Sequence, residues 1–490
     1  MISDQVDVLI IGAGVVGAAL ARELSRYQLR ILLVEKEVDV SFGTSKANSG
    51  IVHSGIHDYP GTLKARLCVK GNRLYPELAA DLNVLYKQNG TIVVARDQSE
   101  LPVLEALRQQ GLANGLTKII SLKRDELLQL EPNLSSSLEA GLLVPSGGIV
   151  VPFDLVFALV ENAVANGVQL AVATKVEKIY FRADQFLVHT NRGLVMAKYI
   201  VNAAGLYSAA VARLIGDESF NIYPRKGEEY LLDRKLEGCV RRTIFPLPSP
   251  ESKGILVIPT VEGNIMLGPT AHRVGAFSEL STSASGWEEV FNYTSKLAPG
   301  IRSADLITSF SGLRAAEENG AFIIRTSLIS PHFIHAAGIE SPGLTAAPAI
   351  ALEIKEILKE VGLKLHPNRN FNPIRPLTRF RQLSEEQQEK LIKEDSAYAK
   401  VVCRCETITE GEIREAIRRG ASTTDGVKLR TRSGMGRCQG GFCTPKILDL
   451  LGEELGINPE LVSKNGPGSE LVTGRLRRVK EEKDDVRNIN

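Results

Sequence analysis

The sequence predicts an α/β dinucleotide-binding domain, an α+β substrate domain threaded through it, and a small, mostly helical C-terminal module. Three observations carry this reading. The first 35 residues run strand, glycine turn, helix, strand; strand-like segments dominate from Asn221 to about Ile329; and four of the six cysteines gather as Cys403-x-Cys405 and Cys438-x4-Cys443, with 32 residues between the pairs. At 490 residues the chain has room for about two to four domains.

Val6 to Ile11 reads as a short buried strand, Gly12-Ala13-Gly14-Val15-Val16-Gly17 as a turn, and Ala18 to Arg26 as a helix. Ile31 to Val34 then ends at Glu35. This is G-x-G-x-x-G in its confirming context, with an acid closing the second strand. Gly12 permits the tight turn, Gly14 lets backbone approach a pyrophosphate, and Gly17 lets the helix pack on the strand. The helix N-terminus offers N–H donors to phosphate, and Glu35 is placed to accept from ribose hydroxyls. The motif alone does not separate FAD from NAD. FAD is favoured because Gly43 to Gly50 forms a small polar loop suited to an extended cofactor, and no second such glycine motif follows.

Beyond this opening, helical stretches (Glu100 to Gln110, Arg124 to Leu130) mix with strands such as Thr91 to Ala95. Pro152 to Asn166 reads as a helix, and Val168 to Val172, Lys175 to Tyr180 and Phe186 to Thr190 alternate as strands do. Tyr199 to Gly205 is a buried strand ending in a small-residue turn. Glu229 to Leu232, Gly254 to Pro259, Asn264 to Gly268 and Ala321 to Arg325 suit a sheet-based substrate domain. Phe333 to Ala337 is a final strand, and Gly338 to Leu344 leads into the helix Ala347 to Glu360. His366 to Arg381, with three prolines, reads as a linker draped over a surface. Short helices, Glu410 to Arg419 and Pro445 to Leu455, follow the two cysteine pairs. The end, with Arg475, Arg477, Arg478 and Lys480, reads as a solvated polar tail.

A hydrophobic content of 43% is that of a chain with large cores, and a formal charge of +2 gives no reason to expect nucleic acid. The clustered cysteines argue for a reducing cytosol. No signal peptide or apolar run of transmembrane length is visible, and a peripheral contact at the inner face of the cell membrane stays open. A soft four-thiolate site binds zinc or an iron–sulfur cluster. The one-residue gap in Cys403-x-Cys405 is atypical of zinc knuckles, so Cys403, Cys405, Cys438 and Cys443 are expected to hold a [2Fe–2S] cluster, with zinc the alternative.

Together the N-terminal glycine motif, Asn48 to Gly55, Asn202-Ala203-Ala204-Gly205 and Gly338 to Leu344 resemble glycine/D-amino-acid-oxidase-type FAD oxidoreductases. Within that group the chain is similar to FAD-dependent glycerol-3-phosphate and L-2-hydroxyglutarate dehydrogenases, Pro60 to Ala65 being similar to the second branch. The cysteine module looks like the bacterioferritin-associated-ferredoxin-type [2Fe–2S] domain. The resemblance implies an α/β FAD-binding Rossmann-type domain at 1–80, 146–220 and 331–365, and an α+β substrate domain at 81–145 and 221–330. It implies a linker at 366–397, a [2Fe–2S] domain at 398–461 and the tail at 462–490.

Carried over by position, Gly12, Gly14, Gly17 and Glu35 hold the ADP half of FAD, and Thr44, Ser45, Asn48, Ser49 and Gly50 line its pyrophosphate and isoalloxazine approach. Val176 offers backbone groups to the adenine, Ala204 and Gly205 pass beneath the cofactor, and Gly338, Gly343 and Leu344 close over the pyrimidine edge. His53 is the expected general base, with His57 next. Arg314 is the expected fork for the substrate's anionic group, with Arg225 and Lys226 a weaker alternative. Cys68 and Cys239 read as ordinary buried cysteines. The resemblance implies oxidation of a small anionic secondary alcohol, first choice glycerol 3-phosphate, with electrons leaving through the cluster to an acceptor subunit or redox partner. Alternatives are a 2-hydroxy-acid dehydrogenase, an amino-acid or amine oxidase of the same fold, and an electron-transfer or assembly subunit without substrate chemistry.

Overall fold

Two large sheets and a small three-stranded one make up the strand layers of the described residues up to Thr378. The computed structural model describes residues 5–182, 184–248, 253–472 and 474; Arg475, Arg477, Arg478 and Lys480 of the expected tail lie outside them. The chain separates into two units, Met1–Thr378 and Arg379–Asn490. No helix among the described residues is long and apolar enough to cross a membrane.

The first sheet forms around the strand Gln5–Ile11, whose residues Val8, Leu9 and Ile10 are fully buried. Burial on both faces is what a parallel strand covered by helices requires. It pairs in parallel with Ile31–Val34 on one side and with Gly193–Asn202 on the other, with Ile11 opposite Val34 and Asn202. Gly193–Asn202 then splits its partners: its first half pairs with Gln185–Thr190, and its last residues pair in parallel with Phe333–Ala337. The strand Ile323–Thr326 pairs antiparallel with Phe333–Ala337. The segment Ala321 to Arg325, expected in the substrate layer, therefore belongs to the dinucleotide sheet. Alternation alone cannot say which of two sheets a short strand joins.

The second sheet takes strands from two stretches of chain, Thr91–Ala95 with its neighbours and Tyr223–Leu232 through Leu306–Ala316. The last two form a long antiparallel pair with Arg225 opposite Arg314 and Glu229 opposite Phe310. Both faces are covered. Ile92 and Val94 pack with Tyr230 and Val290 of the helix Ala284–Leu297, whereas Val93 and Ala95 pack with Phe245 and Ile51. That helix and the long helix Leu63–Asp81 were not foreseen. The second is capped by Thr62, whose hydroxyl accepts from the Ala65 N–H at 3.2 Å, and its interior carries Pro76.

The stretch after the helix Gly343–Glu360 lies along the first unit through specific bonds. The Asn372 carbonyl accepts from the Asn162 and Asn166 side chains at 3.0 and 2.9 Å. Arg375, almost fully buried, meets Asp154 at 3.1 Å and Glu161 at 2.7 Å. Within the expected linker, Glu385–Glu394 forms a helix because Ser384 and Gln387 close a capping box.

The second unit pairs Val401–Cys403 with Ile408–Thr409 and packs three helices, Glu410–Arg418, Thr424–Thr431 and Thr444–Leu455. Ile413, Val427, Leu450 and Leu451 are fully buried between them.

Candidate active site

The glycine turn has the geometry of a cradle for a phosphate-bearing cofactor. Gly12 has φ +106°, and a Cβ there would sit 2.5 Å from the Ala203 carbonyl oxygen, so only glycine fits against the Ala203–Gly205 turn. A Cβ at Gly17 would overlap the Gly12 carbonyl at 1.9 Å. The helix Val15–Leu24 begins at Gly14 without a side-chain cap, leaving N-terminal donors for an anion. Ser45 stands at that end, its Oγ accepting from the Val15 N–H at 2.9 Å.

Glu35 is buried, and burial raises its carboxyl against the two N–H groups that lower it. Its oxygens accept from Ala13 N at 2.9 Å and Glu37 N at 3.0 Å, which leaves lone pairs for ribose hydroxyls. The Glu35 carbonyl accepts from Thr174 N at 2.7 Å, so the strand carrying Val176 starts beside it.

The loop after Gly43 is held on both sides. Thr44 turns its hydroxyl to the Leu313 carbonyl at 2.6 Å, tying the loop to the second sheet. Asn48 donates to the Ser45 carbonyl at 2.8 Å and accepts from Gly50 N at 3.0 Å. Gly50 has φ +65° and sits against the Val150 carbonyl. Ser49 donates to Glu229 Oε1 at 2.5 Å.

Gly338, with φ +65°, lies against Ala321 and Glu317, and the start of the helix Gly343–Glu360 comes to His53. Thr345 Oγ1 accepts from His53 N at 2.9 Å and donates to the Ile51 carbonyl, while the Leu344 carbonyl accepts from Tyr75 at 2.6 Å. Ser341 Oγ lies 3.2 Å from His53 Nε2. Burial first, then Lys253 and His57, holds the His53 ring well below its ordinary value, so it is neutral near pH 7. His57 is buried against Phe245 with ring centroids 4.8 Å apart, and burial and Lys253 hold it down to about 3. Lys253 pairs with Asp58 at 3.3 Å.

Arg314 lies over Gly227, where an added Cβ would be 2.6 Å from a guanidinium nitrogen. Its nitrogens reach only the Thr270 carbonyl, both at 3.3 Å, and no carboxylate lies within salt-bridge distance among the described residues. Burial and then Arg225 lower its pKa. A half-buried guanidinium with so weak a partner is suited to an anion from outside the chain. Arg225 is instead paired with Glu340 at 2.6 Å, and Lys226, on the opposite face, with Glu228 at 3.2 Å. Strand alternation keeps those two from forming one site.

The four cysteines of the second unit approach as two pairs. Cys405 and Cys438 have sulfurs 3.5 Å apart, near the roughly 3.8 Å expected of two thiolates on one tetrahedral metal with bonds of about 2.3 Å. Cys443 beside Cys403 lowers the Cys403 thiol, and the same neighbour pushes Cys443 up. Among the described residues no three ligand side chains converge on one ion. Two pairs match a cluster with two thiolates on each iron better than one zinc. A Cβ at Gly436 would overlap Cys405 Cβ at 2.2 Å, so the close approach needs that glycine.

These features define a flavoprotein oxidoreductase with an appended iron–sulfur domain. The chain belongs to the family of FAD dependent oxidoreductases (DAO), which residues 7–357 match, and residues 401–453 match the BFD-like [2Fe-2S] binding domain. Its cofactors are FAD and a [2Fe–2S] cluster. It is similar to a glycerol 3-phosphate dehydrogenase from Caloramator mitchellensis, with 42% identity over 96% of this chain and 98% of the relative. It is 30% identical to an L-2-hydroxyglutarate dehydrogenase from Indibacter alkaliphilus over 70% of this chain and 96% of that one. The solved L-alpha-glycerophosphate oxidase from Mycoplasma pneumoniae with FAD bound superposes with a TM-score of 0.73 at 31% identity, covering 77% of this chain and all of that one.

Sequence reasoning did not single out Lys253, Glu229 or Glu340. Lys253 and Glu229 lie over 170 residues from His53 outside any motif, and Glu340, inside the quoted Gly338 to Leu344 segment, shows its role only in its pairing with Arg225. Ser341 lay inside a segment already quoted, but its role needed the distance to His53.

Proposed function

We propose that the protein oxidises glycerol 3-phosphate to dihydroxyacetone phosphate and passes the electrons to a one-electron acceptor. The observation that carries this is Arg314, a half-buried fork with no carboxylate in salt-bridge distance among the described residues, set on the sheet that covers the loop leading to His53. The likeness along nearly the whole chain, cysteine module included, to a glycerol 3-phosphate dehydrogenase supports the substrate.

Gly12, Gly14, Gly17, Ser45 and Glu35 would hold the ADP half of FAD, and the Ser49 to His53 and Gly338 to Leu344 segments its ring. When bound, FAD supplies the hydride acceptor and the iron–sulfur cluster a one-electron carrier. Arg314 binds the phosphate bidentately and, with Lys253, offsets its charge. The neutral His53 takes the proton of the C2 hydroxyl at Nε2, with Ser341 fixing the ring. Phe245 and the buried surroundings keep water from the site. The uncapped start of the helix Gly343–Glu360 favours negative charge nearby.

Anaerobic mixing with glycerol 3-phosphate is expected to bleach the flavin, and L-2-hydroxyglutarate to leave it oxidised. The reverse result establishes the hydroxy-acid reading, which the Indibacter relative favours. Cys443→Ser is expected to keep flavin bleaching and lose onward reduction of a one-electron dye. Unimpaired dye reduction without iron would rule out the cluster as the exit.

A further inference from the structure

Glu229 stands in the strand Tyr223–Leu232 with only 2% of its surface exposed. Its Oε1 accepts the Ser49 hydroxyl at 2.5 Å. Its Oε2 is buried beside Gly268 and has no hydrogen-bond partner among the described residues. Burial pushes this carboxyl up to about 7, with Ser49 and Arg314 acting against it. A buried carboxyl with one unmatched oxygen is costly and calls for a task.

A serine hydroxyl has one proton and two lone pairs. Where that proton is committed to Glu229, Ser49 can only accept hydrogen bonds from anything else at the site. Ser49 is half-buried and lies on the loop that leads to His53, whereas Glu229 is out of a substrate's reach. We infer that Glu229 is a positioning residue for specificity: it turns Ser49 into an acceptor for the substrate's second hydroxyl, the one that is not oxidised. Such a site takes a polyol phosphate and rejects a hydroxy diacid. A carboxylate arm has no proton to offer and would face both the Ser49 lone pairs and the Glu229 charge. This rests on the glycerol 3-phosphate reading, and it adds what selects that substrate.

The test compares anaerobic flavin-reduction efficiency for glycerol 3-phosphate and for 2-hydroxypropyl phosphate, its analogue without the second hydroxyl. It uses the FAD-loaded full chain at about pH 8.5, where a carboxyl of this kind is ionised. Glu229→Leu is expected to lower the preference for glycerol 3-phosphate about thirtyfold, the value of a hydrogen bond in such a site. Glu229→Gln, whose amide oxygen still accepts from Ser49, is expected to keep most of the preference. If Glu229→Leu fails to retain FAD, Ser49→Ala serves instead and is expected to lose the same preference. An unchanged preference in the variant that holds FAD, or an equal loss with both substrates, overturns the inference. Wild-type flavin that stays oxidised with glycerol 3-phosphate overturns the parent reading and this one with it; bleaching with an unchanged preference overturns this one alone.

Discussion

His53 owes its role to its surroundings. A free imidazole titrates near pH 6.5, and burial, Lys253 and His57 move this one lower. A neutral ring is ready to take a proton, so in Glu229→Gln, which lacks the carboxyl that titrates near 7, kcat/KM is expected to stay level from about pH 8 down to about 6.5 and to fall only below that. An acid limb centred above pH 7 would contradict it. His53→Asn is expected to slow flavin reduction by about 10² to 10⁴ without loss of FAD; unchanged reduction would move the base elsewhere. The histidine and Arg314 were picked out by the family resemblance of the segments around them. Lys253 and Ser341 were not, because a lysine or serine in a loop carries no signal until its neighbours are known.

At the scale of elements, the stretch from His366 to Thr378 behaves as a strap. Asp154 and Glu161 stand one and a half to two turns apart on the helix Pro152–Ala165 and both reach Arg375. Removing one partner from a buried ion pair leaves the others uncompensated, at a cost of about 3 kcal/mol. Arg375→Ala is therefore expected to lower the denaturation midpoint of the first unit while leaving the visible spectrum of the cluster unaltered. A midpoint within error of the wild type would show the strap to be dispensable. The proline-rich composition announced a draped segment, but not its anchor, since an arginine in a linker reads as solvated. The helix Leu63–Asp81 was missed for a related reason: Gly71 and Pro76 weaken its helical pattern, and its stability comes from packing. A Cβ at Gly71 would lie 2.1 Å from the Thr345 carbonyl, so that glycine is what lets the helix meet the start of Gly343–Glu360.

For the whole molecule, a buried pair ties stability to pH. His335 Nε2 lies 3.0 Å from Asp217, and its Nδ1 faces the Asn202 amide at 3.4 Å, so the proton belongs on Nε2. Burial alone raises the Asp217 carboxyl, but hydrogen bonds from Ser219, Ser327 and His335 outweigh it and hold it below the ordinary value. Burial lowers the His335 ring, with Asp217 opposing. Both groups titrate lower folded than unfolded. Their contribution is complete above about pH 6.5 and is lost on acidification, first as the unfolded histidine takes up its proton and later as the folded groups do. Tm is expected to be flat between about pH 8 and 7 and to fall by several degrees by about pH 5. His335→Gln should flatten the part of that fall nearest pH 6, and an equally steep fall in the variant would place the origin elsewhere.

Read alone, the sequence determined the parts whose chemistry is local. The glycine turn with Glu35 works through residues within one βα unit, and the cysteine quartet announces its ligands by type and spacing. The family resemblance added the class of enzyme and the choice of FAD and a [2Fe–2S] cluster, which the motifs alone left open. Tertiary structure decided which distant side chains come together. Register on the long strand pair puts Arg314 over Gly227, turns Lys226 to the opposite face and sets Glu229 on Ser49. A one-residue slip would reverse each of these placements, and nothing in a linear string specifies which distant strands pair.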